Sequence, residues 1–258
     1  MEELILKERE DRTGYITLNR EEKRNALSPA LIRSLLAAFT EMENDDDIKT
    51  IVLKAKGEIF SAGADLAYLQ QLQSYTLEEN LADSRLLKDL YQKIYINKKA
   101  VIGQVEGHAI AGGCGLATVC DFVFAVPEAK FGYTESRIGF VPALVMVYLL
   151  RKIGEAKAKP MLIKGDLISA SKAHEFGLVY EIIEKKQIED KVKEFCDRIN
   201  TSVSSHSISQ TKQMIAQIRD MDLESGLEFA SMMNAKARGH ADCKEGISKF
   251  LNKEKIKW

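Results

Sequence analysis

Two short stretches built on one plan constrain this chain more than anything else in it. In the first, the β-branched run Thr50-Ile51-Val52-Leu53 leads through Gly57 into Phe60-Ser61-Ala62-Gly63-Ala64-Asp65-Leu66. After that, Leu66, Leu69 and Leu72 fall on one helical face. In the second, Val101-Ile102-Gly103-Gln104-Val105 breaks at Gly107, and Ala111-Gly112-Gly113-Cys114-Gly115 opens a short apolar helix over residues 114–119. Each reads as a strand, a turn of small residues and a helix. Small residues let the backbone approach a ligand closely, and the first helical N–H groups have no partner within their own helix. The helix dipole puts its positive end there, so such a turn favours negative charge. Two such units in neighbouring parallel layers aim their free amides at one point, and two backbone donors converging on one oxygen make an oxyanion hole.

The rest of the chain keeps the same rhythm. Residues 4–7 and 15–19 read as strands joined across a charged turn at 8–14. Ser28-Pro29 starts a helix, with Ser as N-cap and Pro in the first turn, and Leu31, Ile32, Leu35, Phe39 and Met42 repeat along one face of it. An amphipathic helix over 81–96 follows, with Leu86, Leu87, Leu90 and Ile94 on its apolar side. Residues 121–126 read as a strand, 134–139 as a polar link, and Pro142 as the start of an apolar helix over 143–153. Pro160 predicts a kink or a late start in the helix at 155–163. Ser169 opens a helix that Gly177 stops, and 178–183 reads as a strand. This alternation predicts an α/β fold with helices packed over sheet. From Lys185 onward the pattern is helical throughout. A soft boundary near Asn200 separates a core at 1–200 from a helical region at 201–258. That region lacks a core of its own and is expected to pack on the first part or on another subunit.

Composition excludes several classes of function. A chain of 258 residues with 45% hydrophobic content buries a sizeable core. A net charge of −1 without a basic stretch gives no pull toward nucleic acid or an acidic membrane. No run of uncharged apolar residues is long enough to span a bilayer. The acidic N-terminus is neither a secretory signal nor a transit peptide. Four cysteines without CxxC spacing fit a reduced, cytoplasmic setting, with the thiols as core residues. Cys114 sits at a helix N-terminus, where a thiolate would be stabilised, but it too reads as core. Ser169-Ala-Ser-Lys172 matches the SxxK pattern of serine acyl enzymes, yet it lies at a helix start and reads as an N-cap. His108 is a candidate second base, though its position in a turn argues against the role. No Walker loop, Rossmann glycine pattern or metal-ligand spacing appears, so neither a metal nor a resident cofactor is expected.

Taken together, the motifs resemble the crotonase superfamily of enoyl-CoA hydratases and isomerases, over essentially the whole chain. Its two oxyanion motifs are similar to Phe60–Leu66 and Ala111–Gly115, and its N-terminal signature to Leu18-Asn19-Arg20 with Lys23-Arg24-Asn25-Ala26-Leu27. Its catalytic loop is similar to Phe131-Gly132-Tyr133-Thr134-Glu135 with Gly139-Phe140-Val141-Pro142, and its C-terminal signature to Asp242-Cys243-Lys244-Glu245-Gly246 with Phe250. The resemblance implies a crotonase-like spiral of ββα units with a C-terminal helical trimerisation region, assembled as a homotrimer or hexamer. It implies an acyl-CoA thioester substrate, coenzyme A being part of the substrate rather than a cofactor. The thioester oxygen would bind the N–H groups of Ala64 and Gly112. Coenzyme A would lie along Lys23, Arg24, Ala26, Ala62, Asp65, Leu66 and Ile110, with Phe250 and Lys253, from the same or a neighbouring subunit, at its adenine and phosphate end. Where the family often has a lysine, two residues after Asp65, this chain has Ala67.

The same resemblance exposes a departure. Hydratases of the family use two glutamates, and the first would stand at Gly115, which leaves Glu135 alone. Two carboxylates hold a water between them while one takes and the other gives a proton. One carboxylate either passes both protons in sequence or moves a proton between two carbons without water, which is isomerisation of a 3-enoyl to a 2-enoyl thioester. The run Gly-Gly-Cys-Gly-Leu-Ala with Thr-Glu-Ser-Arg-Ile-Gly-Phe-Val-Pro-Ala resembles most a bacterial subgroup of 3-methylglutaconyl-CoA hydratases. Pro142-Ala143-Leu144-Val145 replaces a glycine-rich run in the wall of the acyl pocket and points to a short or branched acyl group. Hydration is the expectation; isomerisation, decarboxylation or another enolate chemistry, and thioester binding without turnover, are the alternatives. Tyr133 and Arg137 flank Glu135 and are candidates to orient it or simply to pack.

Overall fold

The computed structural model describes residues 3–258 apart from the side chain of Leu66. Strands β1 (Ile5–Glu10) and β2 (Thr13–Leu18) form an antiparallel hairpin. The expected seven-residue turn shrinks to two residues, because Asp11 adopts a left-handed φ of 50° and both charged strands extend to meet it. Helix α1 (Pro29–Asn44) begins as expected, the Ser28 hydroxyl accepting the Leu31 N–H at 3.3 Å. Then come β3 (Thr50–Ala55), β4 (Ile59–Ser61), α2 (Leu66–Leu72) and α3 (Leu77–Tyr95). The latter helix starts earlier than its apolar spacing predicts, because Thr76 and Glu79 close a capping box around its first turn.

The unit then repeats. Strands β5 (Ala100–Val105) and β6 (His108–Ile110) lead into α4 (Gly112–Val119), and β7 (Phe122–Ala125) and β8 (Lys130–Gly132) lead through a 3-10 turn at Glu135–Ile138 into α5 (Ala143–Ile153). In each unit the first strand joins one sheet and the second joins another. The larger sheet runs β1-β2-β3-β5-β7 and ends on β10 (Glu181–Ile182). The smaller runs β4-β6-β8 and ends on β9 (Ile168–Ser169). Because β3, β5 and β7 pair in parallel, and β4, β6 and β8 do the same, the chain advances one strand in both sheets with every turn. That is a spiral of ββα turns, the architecture expected. Parallel strands covered on both faces read as continuous apolar runs, and β5 is buried at all six positions. Leu31, Leu35 and Phe39 of α1 and Leu90 and Ile94 of α3 seal the same core.

Helix α6 (Glu155–Lys164) contains Pro160 without a late start. Ala156, whose carbonyl loses its partner there, and Pro160 are both exposed, so water takes the bond. Helix α7 (Ala170–Phe176) has Ser169 as N-cap and Gly177 as a left-handed C-cap, as expected. The strand expected at 178–183 is reduced to β10, two residues long. Helix α8 (Ile188–Ser202) packs on the large sheet, and its buried Asn200 bonds Thr13 and Thr50, while the buried Lys49 ammonium donates to the Asn200 carbonyl at 2.9 Å. The chain ends in α9 (Ser205–Ile218), α10 (Leu223–Gly239) and α11 (Ala241–Leu251), in which Gly226 is the one buried residue.

Candidate active site

Three loops meet at one edge of the small sheet. The loop before α1 is bonded to the loop after β4 by Ala62 N–H to Arg24 O (3.0 Å), Leu27 N–H to Gly63 O (2.6 Å) and Asp65 N–H to Leu27 O (3.0 Å). Asn25 holds the corner. It adopts a left-handed φ of 51°, which asparagine tolerates, and its amide donates to Lys56 O and Ile59 O while accepting from Arg20 N–H. The loop after β4 packs in turn on the loop after β6. A Cβ on Gly63 would lie 2.8 Å from that of Ala111 and 3.3 Å from Gly112 N, and one on Gly113 would collide with Ser61. Glycine is required at both positions because the two backbones touch.

Two backbone amides are left free at the loop junction. Pairing β4 to β6 places Ser61 beside Ala109, and past the strand ends Gly63, next to Ala64, packs against Gly112, a Cβ on Gly112 lying 4.0 Å from Gly63 Cα. Among the described residues, the N–H of Ala64 has no acceptor, because its neighbours make the bonds to Leu27 on either side. Gly112 is the first residue of α4, so its N–H has no partner within the helix. Ala111, just before it, takes φ 51° and ψ −125°, a conformation costly for a residue with a Cβ that re-aims the chain at this point.

Glu135 lies in the 3-10 turn that follows β8, the next strand in the same sheet. It is half-buried, its Oε2 is shut from solvent, and that atom has no hydrogen-bond partner. Burial raises its pKa above the usual carboxylate value, against a smaller opposing contribution from its own backbone N–H. Neither flanking residue bonds it. The Tyr133 hydroxyl pairs with Thr118 Oγ1 at 2.6 Å, and Arg137 pairs with Asp166, which ties the turn to the segment after α6. A carboxyl held in an apolar site, with an unused oxygen and a raised pKa, is suited to take and return a proton.

The remaining predicted residues divide by location. Lys23 and Arg24 are exposed on the loop before α1, Ala26 is buried in it, and Ala62 and Ile110 are half-buried at the loop junction. The Asp65 carboxylate caps α2 through Ala67 and Tyr68 N–H and pairs with Arg20 at 2.8 Å. Burial works against that charge, but the bonds from Tyr68 and Arg20 hold it below its ordinary pKa. Leu66 begins α2, and its side chain lies outside the described residues. Phe250, 75% exposed, and Lys253 lie on and just past α11, which packs on α10. His108 is in a strand rather than a turn, with Nδ1 buried and without a partner. Burial pushes the Cys114 thiol up to about 12, so it is not a thiolate.

Three residues escaped the sequence reading. Arg20 and Asn25 lie within the N-terminal signature, where nothing local shows that they brace the loops. Tyr91 follows Leu87 by one helical turn and so belongs to the buried face of α3, which was the available signal. Its ring is fully buried, and its hydroxyl donates to Gly112 O at 2.8 Å.

A ββα spiral whose successive turns place two free amides and a half-buried carboxyl after adjacent strands of one sheet suits an enzyme of enolate chemistry. Comparison with known proteins places it more narrowly. The pattern of the Enoyl-CoA hydratase/isomerase family matches residues 8–258, and the chain belongs to that family. A Thermus thermophilus protein provisionally named an enoyl-CoA hydratase is 40% identical over 240 residues, 93% of this chain and 94% of its own. The 2,3-dehydroadipyl-CoA hydratase of Escherichia coli is 31% identical over 257 residues, 98% of this chain and 97% of its own. The crystal structure of an enoyl-CoA hydratase from Mycobacterium smegmatis superposes with a TM-score of 0.92 at 28% identity, covering 100% of this chain and 99% of that one.

Proposed function

We propose that this enzyme hydrates a short, branched 2-enoyl-CoA thioester of the 3-methylglutaconyl kind, with Glu135 as its one proton carrier. The Glu135 carboxylate takes a proton from water as the water oxygen bonds to C3, and the C2=C3 electron pair moves onto the thioester oxygen. The N–H groups of Ala64 and Gly112 hold that enolate oxygen, each stabilising the transition state by about 3–4 kcal/mol. Glu135 then returns the proton to C2, so the enzyme ends as it began. The observation that carries this reading is the closed-off, unpartnered Oε2 of Glu135. A short acyl group suits the bulk of Tyr91 and Val145 against Gly115. Coenzyme A then runs along Lys23, Arg24 and Asp65. Phe250 and Lys253 reach it from a neighbouring subunit of a trimer, single or paired into a hexamer, packed through the exposed apolar residues Leu223, Leu227 and Ile247.

Purified enzyme given crotonyl-CoA or 3-methylglutaconyl-CoA is expected to bleach the enoyl-thioester absorbance, faster with the branched substrate. Bleaching of neither overturns the reading. One observation favours a second reading, isomerisation of a 3-enoyl thioester: a second carboxylate has no room at residue 115, where a Cβ would lie 2.5 Å from Val145 Cγ1 and 2.6 Å from Tyr91 Oη. Conversion of a 3-enoyl-CoA to its 2-enoyl isomer without hydration selects it. The same contacts make Gly115→Glu an unsuitable way of separating the two, since its failure would report packing.

A further inference from the structure

Tyr91 of α3 brings a polar group against the first turn of α4. Its hydroxyl lies between the two ends of that turn, within 3.2 Å of where a Cβ on Gly112 would be and 2.6 Å from one on Gly115. A phenol has one proton to donate, and here it goes to the carbonyl of Gly112. Burial, and after it the charge of Glu135, put its pKa well above the ordinary tyrosine value, so it stays a neutral donor. Tyr148 braces the ring edge-on at 6.1 Å. The peptide it grips joins two glycines, Gly112 and Gly113, and follows Ala111 in a strained conformation, so no Cβ at either glycine restrains it.

We propose that Tyr91 is a positioning residue of the reaction: its hydroxyl fixes the Gly112–Gly113 peptide, and by restraining the backbone of Gly112 it steadies the preceding Ala111–Gly112 peptide, whose N–H points at the substrate oxygen and whose carbonyl accepts from Gly115 N–H at 3.1 Å. Its ring also fills the space a side chain on residue 115 would need, so Tyr91 and Gly115 together fix the site as one with a single carboxylate. The second statement rests on the function proposed above; the first requires only that an acyl thioester carbonyl binds at the Ala64 and Gly112 amides.

The test is Tyr91→Phe in the full-length enzyme, which keeps the ring and loses the donor. Two readouts separate its failure from failure of the proposed reaction. The first is hydration of crotonyl-CoA, where kcat is expected to fall about tenfold with KM within about twofold, less than the loss on deleting a donor because this one is misaimed rather than removed. The second needs no turnover: an aryl-acryloyl-CoA chromophore red-shifts when its bound carbonyl is polarised, and the shift is expected to shrink by about half in the variant. Wild-type kcat and wild-type red shift in Tyr91→Phe overturn the inference while leaving the hydratase reading intact. A wild-type enzyme that binds the chromophore with a red shift but hydrates nothing overturns the hydratase reading alone. If Tyr91→Phe does not fold, Tyr91→Leu removes the same donor and is read by the same two measurements, with the same result overturning the inference.

Discussion

Replacing Gly115 by alanine pits two effects of known size against each other. Residue 115 is the fourth of α4, and alanine in a helix interior is favoured over glycine by about 1 kcal/mol. Propensity alone therefore predicts a more stable protein. Packing predicts the opposite, because the new methyl would stand 2.5 Å from Val145 Cγ1, 2.6 Å from Tyr91 Oη and 2.8 Å from Tyr91 Cζ. Neither neighbour is a loose end. Val145 is β-branched and 4% exposed, and Tyr91 is fully buried and bonded to Gly112. Forcing an extra methyl into a packed site costs about 1–3 kcal/mol, and pushing the phenol off Gly112 adds about 1 kcal/mol. Against the helix gain, the net is a loss of about 1–3 kcal/mol, or a fall in unfolding temperature of about 2–4 °C for each of them in a chain of this size. Urea and thermal unfolding of Gly115→Ala measure it, and Gly115→Ala with Val145→Ala should recover part of the loss by reopening the space. A single variant as stable as wild type, or more stable, refutes the packing argument and with it the claim that no second carboxylate fits.

Glu135→Gln is expected to lower kcat by about 10²–10⁴, the usual contribution of a positioned acid–base group. Its stability should move the other way. A carboxyl whose folded pKa is raised stabilises fully below its unfolded pKa and loses that contribution as pH rises through the folded value. Denaturant unfolding should thus find Glu135→Gln more stable than wild type at pH 8 and no more stable at pH 4. The acid limb of wild-type kcat/KM should also lie above pH 4.5, the ordinary value from which this group is raised. Lys152→Met takes a donor from Thr118 O (3.1 Å) and Cys120 O (2.6 Å) at the C-terminus of α4 and should cost about 1–3 kcal/mol in urea unfolding. Thr76→Ala opens the capping box of α3 and should cost about 1 kcal/mol in the same assay with kcat unchanged.

What was legible beforehand followed from local rules. Ser28 and Pro29 start α1, Ser169 and Gly177 bound α7, and the two small-residue turns open helices because caps and glycines act over a few residues. The spiral became legible only through family resemblance, since no local rule says that β3 and β4 enter different sheets. Strand β6 escaped altogether: three residues between Gly107 and the next turn carry no periodicity. Tyr91 shows why the rest of the site was hidden. The position of its hydroxyl depends on contact between Tyr91 of α3 and Gly112 of α4, 21 residues apart in the chain, and on the absence of a side chain at Gly115. A missing group leaves a mark in the sequence, but what fills its place appears only when the helices pack.

The spiral also accounts for the pair of amides that the proposed reaction assigns to one oxygen. Neighbouring strands of a sheet lie about 4.8 Å apart, and each turn of the spiral advances the chain by one strand. Ala64 and Gly112 lie in equivalent loops after these adjacent strands, and the oxyanion hole proposed above calls for about that separation between their N–H groups. An oxygen about 2.9 Å from each of two nitrogens 4.8 Å apart subtends about 110° between them, close to the angle between its lone pairs. On that proposal the donors are backbone groups placed by the pairing of β4 with β6, and no side chain at residues 64 or 112 takes part. Side chains instead set the aim: Asn25 beneath the first loop, Tyr91 against the second. Changes that loosen these two supports should therefore lower kcat while leaving substrate affinity nearly intact, because a misaimed amide fails chiefly where charge has built up, in the transition state.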